Sequence, residues 1–181
     1  MDFKTLIPDF NAVAKTDWAK PHIDTKDKNW LVVAGLVLLM VIFVFLPWQT
    51  FSTTAEGMTQ SASRLGITTW FGILSFIFAL AAAYGVLYKS LQFVFCGAVL
   101  AAVMSLIGWL SIVDMTVGGV TMPAEAIKFA DQAAEMASAV SSAFGGGKIE
   151  ASVGHIGAIL SLVASLATAA VSFLQIKKAN E

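Results

Sequence analysis

The sequence predicts an all-α integral membrane protein: a four-helix transmembrane bundle with a short N-terminal amphipathic helix and an extracytoplasmic helix between spans 3 and 4. Three observations carry this. Hydrophobic residues make up 57% of the chain and charged residues 13%, where soluble domains carry roughly 25% charge, and the mean hydropathy is +0.79. Four apolar runs approach the ~20 residues that a helix rising about 1.5 Å per residue needs to cross a ~30 Å hydrocarbon layer. The cationic side chains are also shared unequally between the two sets of connecting segments.

Residues 1–29 form a polar leader to the bundle. After Pro8, a residue suited to a first helical turn, Phe10, Val13, Ala14 and Trp18 recur on one face while Asn11 and Lys15 face away, and Pro21 closes the segment. This predicts a cytoplasmic amphipathic helix, lying on the inner leaflet, docking a partner or folded back on the bundle, and then a charged linker. Five Asp offset five Lys in this stretch, so attraction to anionic lipid is weak.

The membrane domain is expected over 30–178. Span 1 is "WLVVAGLVLLMVIFVFLPW", 30–48, closed by Pro47, which cannot sustain helical hydrogen bonding. Its length, and the long acidic segment ahead of it, fit a retained anchor better than a signal peptide, whose apolar core is about 7–15 residues. Spans 2 (67–88) and 3 (91–113) are separated only by Lys89 and Ser90 and so form a hairpin. Span 4 covers 153–176, and 179–181 are a cytoplasmic tail.

Four spans place both termini on one side. With that side cytoplasmic, Lys4, Lys15, Lys20, Lys26, Lys28, Lys89, Lys177 and Lys178 are inside, and Arg64, Lys128 and Lys148 are outside, as the positive-inside bias requires. Trp48, Trp70 and Trp109 then fall at the outer interface, and Trp30, Tyr84 and Tyr88 at the inner one. The expected location is the bacterial cytoplasmic (inner) membrane.

The second outer connection is too long for an unstructured loop. Pro123 and Glu125 suit a first helical turn and Gly145–Gly147 a stop, predicting an outer helix over about 123–144. Phe129, Ala133, Met136, Val140 and Phe144 form one apolar stripe, while Lys128, Asp131, Gln132, Glu135 and Ser142 lie mainly away from it. Acidic residues at a bilayer centre cost several kcal/mol, so this helix lies outside the membrane. The stripe is expected to pack over the outer end of its own bundle; the competing expectation is an alanine-rich shoulder that binds another chain.

Three small-residue runs mark the later spans: Ser75, Ala79, Ala83; Gly97, Ala101, Ser105; and Gly157, Ser161, Ser165, which Thr168 and Ser172 extend. Such residues let helix backbones approach closely in lipid, within one bundle or between subunits. No acidic, basic or histidine side chain falls at mid-depth in any span, where ion and proton pathways show their chemistry. Asp114 and His155 fall near the outer interface and form a candidate polar pair. One histidine and one carboxylate are too few for a metal site. A net charge of -1 argues against a nucleic-acid partner. The lone Cys96 precludes an intrachain disulfide. No nucleophile with a companion base is visible, and no cofactor is expected.

Pro47–Trp48, "GITTWFGIL" (66–74) and "GHIGAILSLVASL" (154–166), with inside termini and two outer connections, resemble small bacterial four-span membrane proteins of uncharacterised function, claudin-like in topology. The outer connections lack the paired cysteines of claudins, and the resemblance implies no catalytic residues. The expectation is a non-enzymatic structural or accessory membrane subunit, partnered by the lipid bilayer and by copies of itself or a larger membrane complex. The alternative is an oligomeric channel or transporter for small neutral solutes, lined by Ser161, Ser165, Thr168 and Ser172.

Overall fold

The structure is a computed structural model that describes residues 6–8, 27–55, 58–117, 120–143 and 149–179. The expected N-terminal amphipathic helix and linker, apart from residues 6–8 and 27–29, lie outside the described residues, as do Phe144, the triple glycine and the last two residues. The described chain is mostly helical, and three of its helices are long and apolar enough to cross a membrane.

Helix α1 (Lys28–Phe43) starts at Asp27, whose side chain accepts from the backbone N–H groups of Asn29 and Trp30 at 3.0 and 3.3 Å. A carboxylate there satisfies donors that a first turn otherwise leaves open. Helices α2 (Trp70–Leu87) and α3 (Leu91–Leu110) form the expected hairpin, turning at Lys89 in the left-handed region with φ 52°. The small residues permit the close packing between them: a Cβ at Gly97 would lie 2.7 Å from the Phe78 carbonyl. The last helix, α6, runs Ile156–Ala179. Helix α1 packs beside α2 and α6, and α3 beside the same two, closing a four-helix ring.

A small sheet, absent from the all-α expectation, joins these helices. Strands β1 (Pro47–Ala55) and β2 (Met58–Leu65) follow α1, and β5 (Ile149–Gly154) precedes α6. They form an antiparallel sheet ordered β2-β1-β5. A second hairpin, β3 (Met115–Val117) with β4 (Val120–Met122), leads into the short helix α4 (Ala124–Lys128) and then α5 (Ala130–Ala143). The outer helix of the sequence reading therefore exists, broken in two at Phe129.

The expected spans are trimmed where strands, extended chain or a short turn take over, span 2 starting at Trp70 after a turn at Gly66–Thr68. Span 1 was expected to run to Trp48, but α1 stops at Phe43 and a turn releases the chain into β1. The apolar run continues beyond the helix because Val44 and Trp48 are buried in protein at its end. Span 3 ends at Leu110 rather than 113, and span 4 begins at Ile156 because 149–154 is strand.

Strand alternation gives the sheet two unlike faces. Phe51 pairs with Ala62 on one side and Val153 on the other. These residues pack with Met115, Val117, Ile127 and Ala130 in a core separate from that of the helical bundle. The opposite face carries hydroxyls.

Candidate functional site

Trp48 occupies the junction between sheet and bundle. The β1–β2 register slips between Pro47 and Gln49, leaving Trp48 as an extra residue, and a bulge of this kind re-aims a side chain. Its indole is buried, donates Nε1–H to the Phe43 carbonyl at 2.9 Å, and stacks on Phe71 at 5.9 Å between ring centroids. Gly66, Gly108 and Gly157, from three separate segments, close around it: a Cβ on Gly108 would reach the ring at 2.6 Å, and one on Gly157 would lie 2.6 Å from the Pro47 carbonyl. The expected interfacial anchor is thus a core residue, whereas Trp70 and Trp109 are exposed on the protein surface. Beside it, buried Gln49 donates to the Ser111 carbonyl and accepts from Val113 N–H at 3.1 Å, tying the end of α3 to the sheet.

The small-residue runs lie inside the chain's own bundle. Ser75, Ala79, Gly97, Ala101, Ser105, Gly157, Ser161 and Ser165 are all buried; Ala83 is only half-buried, and Ala82 and Gly85 take the inward places beyond Ala79. Ser105 links α2 and α6, its Oγ lying 3.3 Å from that of Ser75 and 2.9 Å from that of Ser161. Further along α6, Thr168 donates to the Ala164 carbonyl at 2.7 Å, and Ser172 is buried.

Asp114 and His155 are not joined by a hydrogen bond. The Asp114 carboxylate accepts from Ala124 N–H at 2.8 Å at the start of α4, and its carbonyl accepts from Arg64 at 2.8 Å. His155 sits just before α6 against the backbone of Trp48. Burial holds its imidazole below the usual histidine range, and the Trp48 backbone hydrogen bond acts in the opposite sense. Among the described residues there is no group of three or more His, Cys, Asp or Glu that could hold a metal.

Helix α5 packs the other way round from the expected capping arrangement. Ala130 and Ala134 are buried, while Phe129, Met136 and Val140 are 60%, 68% and 60% exposed, with Ala133 exposed among them. The small alanine face allows a close approach to the sheet, which the large stripe could not make. Ser138 Oγ accepts from Ile149 N–H at 3.3 Å, so the helix lies along the outer edge of β5.

Between α5 and the hydroxyl face of the sheet runs a groove of about 660 Å³. Its floor follows from the register. Ser52 and Ser152 stand side by side in it with Thr54 and Glu150 in the next row, and the two rows continue beyond the groove onto Ser61 and Thr59 of β2. Ser52 and Ser152 are 2.8 Å apart at Oγ, and Thr54 and Thr59 3.0 Å at Oγ1. None of these residues was singled out in the sequence. The available signal was the alternation of hydroxyl residues in "TFSTTA" and "TQSASR", which read as loop because each segment holds little that is hydrophobic.

Comparison with protein-family models, with curated proteins and with solved structures gives no match. The class rests on the chain itself: a mostly helical protein with three helices fit to cross a membrane, joined to a small β-sheet.

Proposed function

We propose that this chain is a four-span, non-enzymatic structural or accessory membrane subunit that assembles with copies of itself through the outer face of α5. In this reading α1 is the fourth span, with a claudin-like topology, both termini in the cytoplasm of a bacterial cell, and the sheet and α5 outside. Support for α1 comes from its place in the helix ring and its apolar composition. Its 16 residues give roughly 24 Å of helix, somewhat short of the ~30 Å core, which tilting does not lengthen but local bilayer thinning accommodates.

The observation that carries the assembly is the exposed stripe. Three large apolar side chains exposed along one face of an alanine-rich helix leave a surface that water solvates poorly. The stripe is also self-complementary. Two antiparallel copies centred between Ala133 and Met136 bring Phe129 against Val140 and Ala133 against Met136, a large residue beside a smaller one at each contact. A two-fold interface needs this reciprocity.

Channel function would need Ser161, Ser165, Thr168 and Ser172 at an opening, and all four are buried against neighbouring helices. The assembly reading is tested by the mass of the protein in native lipid discs. A defined oligomer that falls to a 19.2 kDa monomer on Met136→Glu supports it; a wild-type monomer, or an oligomer indifferent to Met136→Glu and Phe129→Ser, overturns it.

A further inference from the structure

We propose that the pocket between the end of β2 and the start of β3 binds a zwitterionic phosphate ester bearing a primary ammonium: the headgroup of a phosphatidylethanolamine lipid. The pocket measures about 340 Å³ and is lined by Ala62, Ser63, Arg64, Asp114, Met115 and Thr116. That volume falls within the roughly 300–1,000 Å³ of small-ligand sites.

Two opposite charges share this pocket without neutralising one another. Arg64 Nη1 donates to the Asp114 backbone carbonyl at 2.8 Å, while the Asp114 carboxylate turns to the N–H of Ala124 at 2.8 Å. Neither side chain has an ion-pair partner among the described residues. The guanidinium presents several N–H donors in a fixed fork, and the carbonyl takes one of them. The rest suit the paired oxygens of a phosphate. One carboxylate oxygen of Asp114 holds the start of α4, which leaves the other for a donor.

Charge balance selects the ligand. A purely anionic group on Arg64 would stand beside the Asp114 carboxylate, and a purely cationic one on Asp114 beside the guanidinium, whereas a zwitterion gives each its opposite. Nearby chain does not upset this balance. Helix α4 carries Glu125 and Lys128, which offset each other, and the undescribed Gly118 and Gly119 between β3 and β4 are uncharged. A primary ammonium also donates a hydrogen bond to the carboxylate, for which the quaternary nitrogen of a choline headgroup has no N–H. Hydroxyls on Ser63 and Thr116 can donate to further phosphate oxygens.

Position makes the ligand a lipid. Arg64 lies just before the turn into α2, and Asp114 just beyond the end of α3, two of the helices fit to cross a membrane. Leu65, Trp70, Trp109 and Leu110 are exposed at that same end, and tryptophan there suits the boundary where headgroups meet acyl chains. The inference rests on α2 and α3 spanning a bilayer as in the reading above, and needs neither α1 as a span nor assembly through α5.

The experiment is native mass spectrometry of the full-length protein, released from detergent micelles that hold equal amounts of phosphatidylethanolamine, phosphatidylcholine and phosphatidylglycerol, with free phosphoethanolamine added in a separate arm. The expected result is phosphatidylethanolamine retained roughly fivefold or more over either competitor, the difference that one charge-assisted hydrogen bond makes. Arg64→Gln should abolish the preference. Asp114→Asn, whose amide oxygen can still accept from Ala124, should retain phosphatidylethanolamine and phosphatidylglycerol alike. Equal retention of the three lipids by the parent protein, or a preference that survives both substitutions, overturns the proposal. Free phosphoethanolamine binding as readily as the lipid overturns the assignment to a membrane headgroup. Oligomer mass in the same spectra reports separately on the α5 face.

Discussion

Gly157 has no room for even a methyl group. Its missing Cβ leaves space for the Pro47 carbonyl and the edge of the Trp48 indole, so Gly157→Ala must displace the bulge or the helix. Overpacking of this kind typically costs about 1–3 kcal/mol. The expected outcome is a lower melting temperature for Gly157→Ala and Gly108→Ala, with a red-shifted tryptophan emission as the indole leaves its socket; Gly35→Ala, with nothing within 4 Å of its added carbon, serves as the control. His155, packed on the same backbone, predicts a pH dependence. Its folded-state pKa lies below the ordinary 6.5, chiefly through burial, so the unfolded chain takes up the proton first on acidification. The stability this neutral imidazole contributes is complete above about pH 6.5 and declines as the pH falls from there towards the lowered value. His155→Gln should flatten that decline, read as the difference in melting temperature between pH 7.5 and 5.5.

Helix α5 shows how far an element can be legible while its orientation is not. The 3.6-residue period, Pro123 and Glu125 located the outer helix, yet the rule that an amphipathic helix buries its apolar stripe gave the wrong face. Ala130 and Ala134 meet the sheet because a short side chain brings the helix axis close enough for Ser138 to reach the edge of β5. That edge was invisible, since "IEASVG" carries no strong strand signal. Ala134→Leu should therefore destabilise the protein by about 1–3 kcal/mol, whereas Met136→Glu, compared with the parent protein under dissociating conditions where both are monomeric, should leave the melting temperature nearly unchanged, surface substitutions costing within about 0.5 kcal/mol. Thermal unfolding of the two variants side by side distinguishes this packing from the one first expected. The long apolar runs behaved differently. Trp70–Leu87 and Leu91–Leu110 were legible because composition and length alone determine them, and their small residues face neighbouring helices of the same chain.

For the molecule as a whole, the four-span arrangement proposed above, with both termini on the cytoplasmic side, makes a labelling prediction. In a Cys96→Ala background, Ser61→Cys should react with a membrane-impermeant maleimide on intact cells, while Asn29→Cys and Lys178→Cys should react only after lysis. All three positions are exposed on the protein. Labelling of Asn29→Cys and Ser61→Cys from the same side would remove α1 from the set of spans and overturn the four-span reading.

The central strand of the sheet also imposes an order in time. Ser52 and its partner Ser152 are 100 residues apart, so at roughly 5–20 residues per second of synthesis the β1–β2 hairpin waits on the order of 5–20 seconds for β5. Throughout that interval one edge of β1 stands without a neighbour, and the chain is most open to pairing with another nascent copy, a hazard that ends when β5 emerges with α5 lying along its far side.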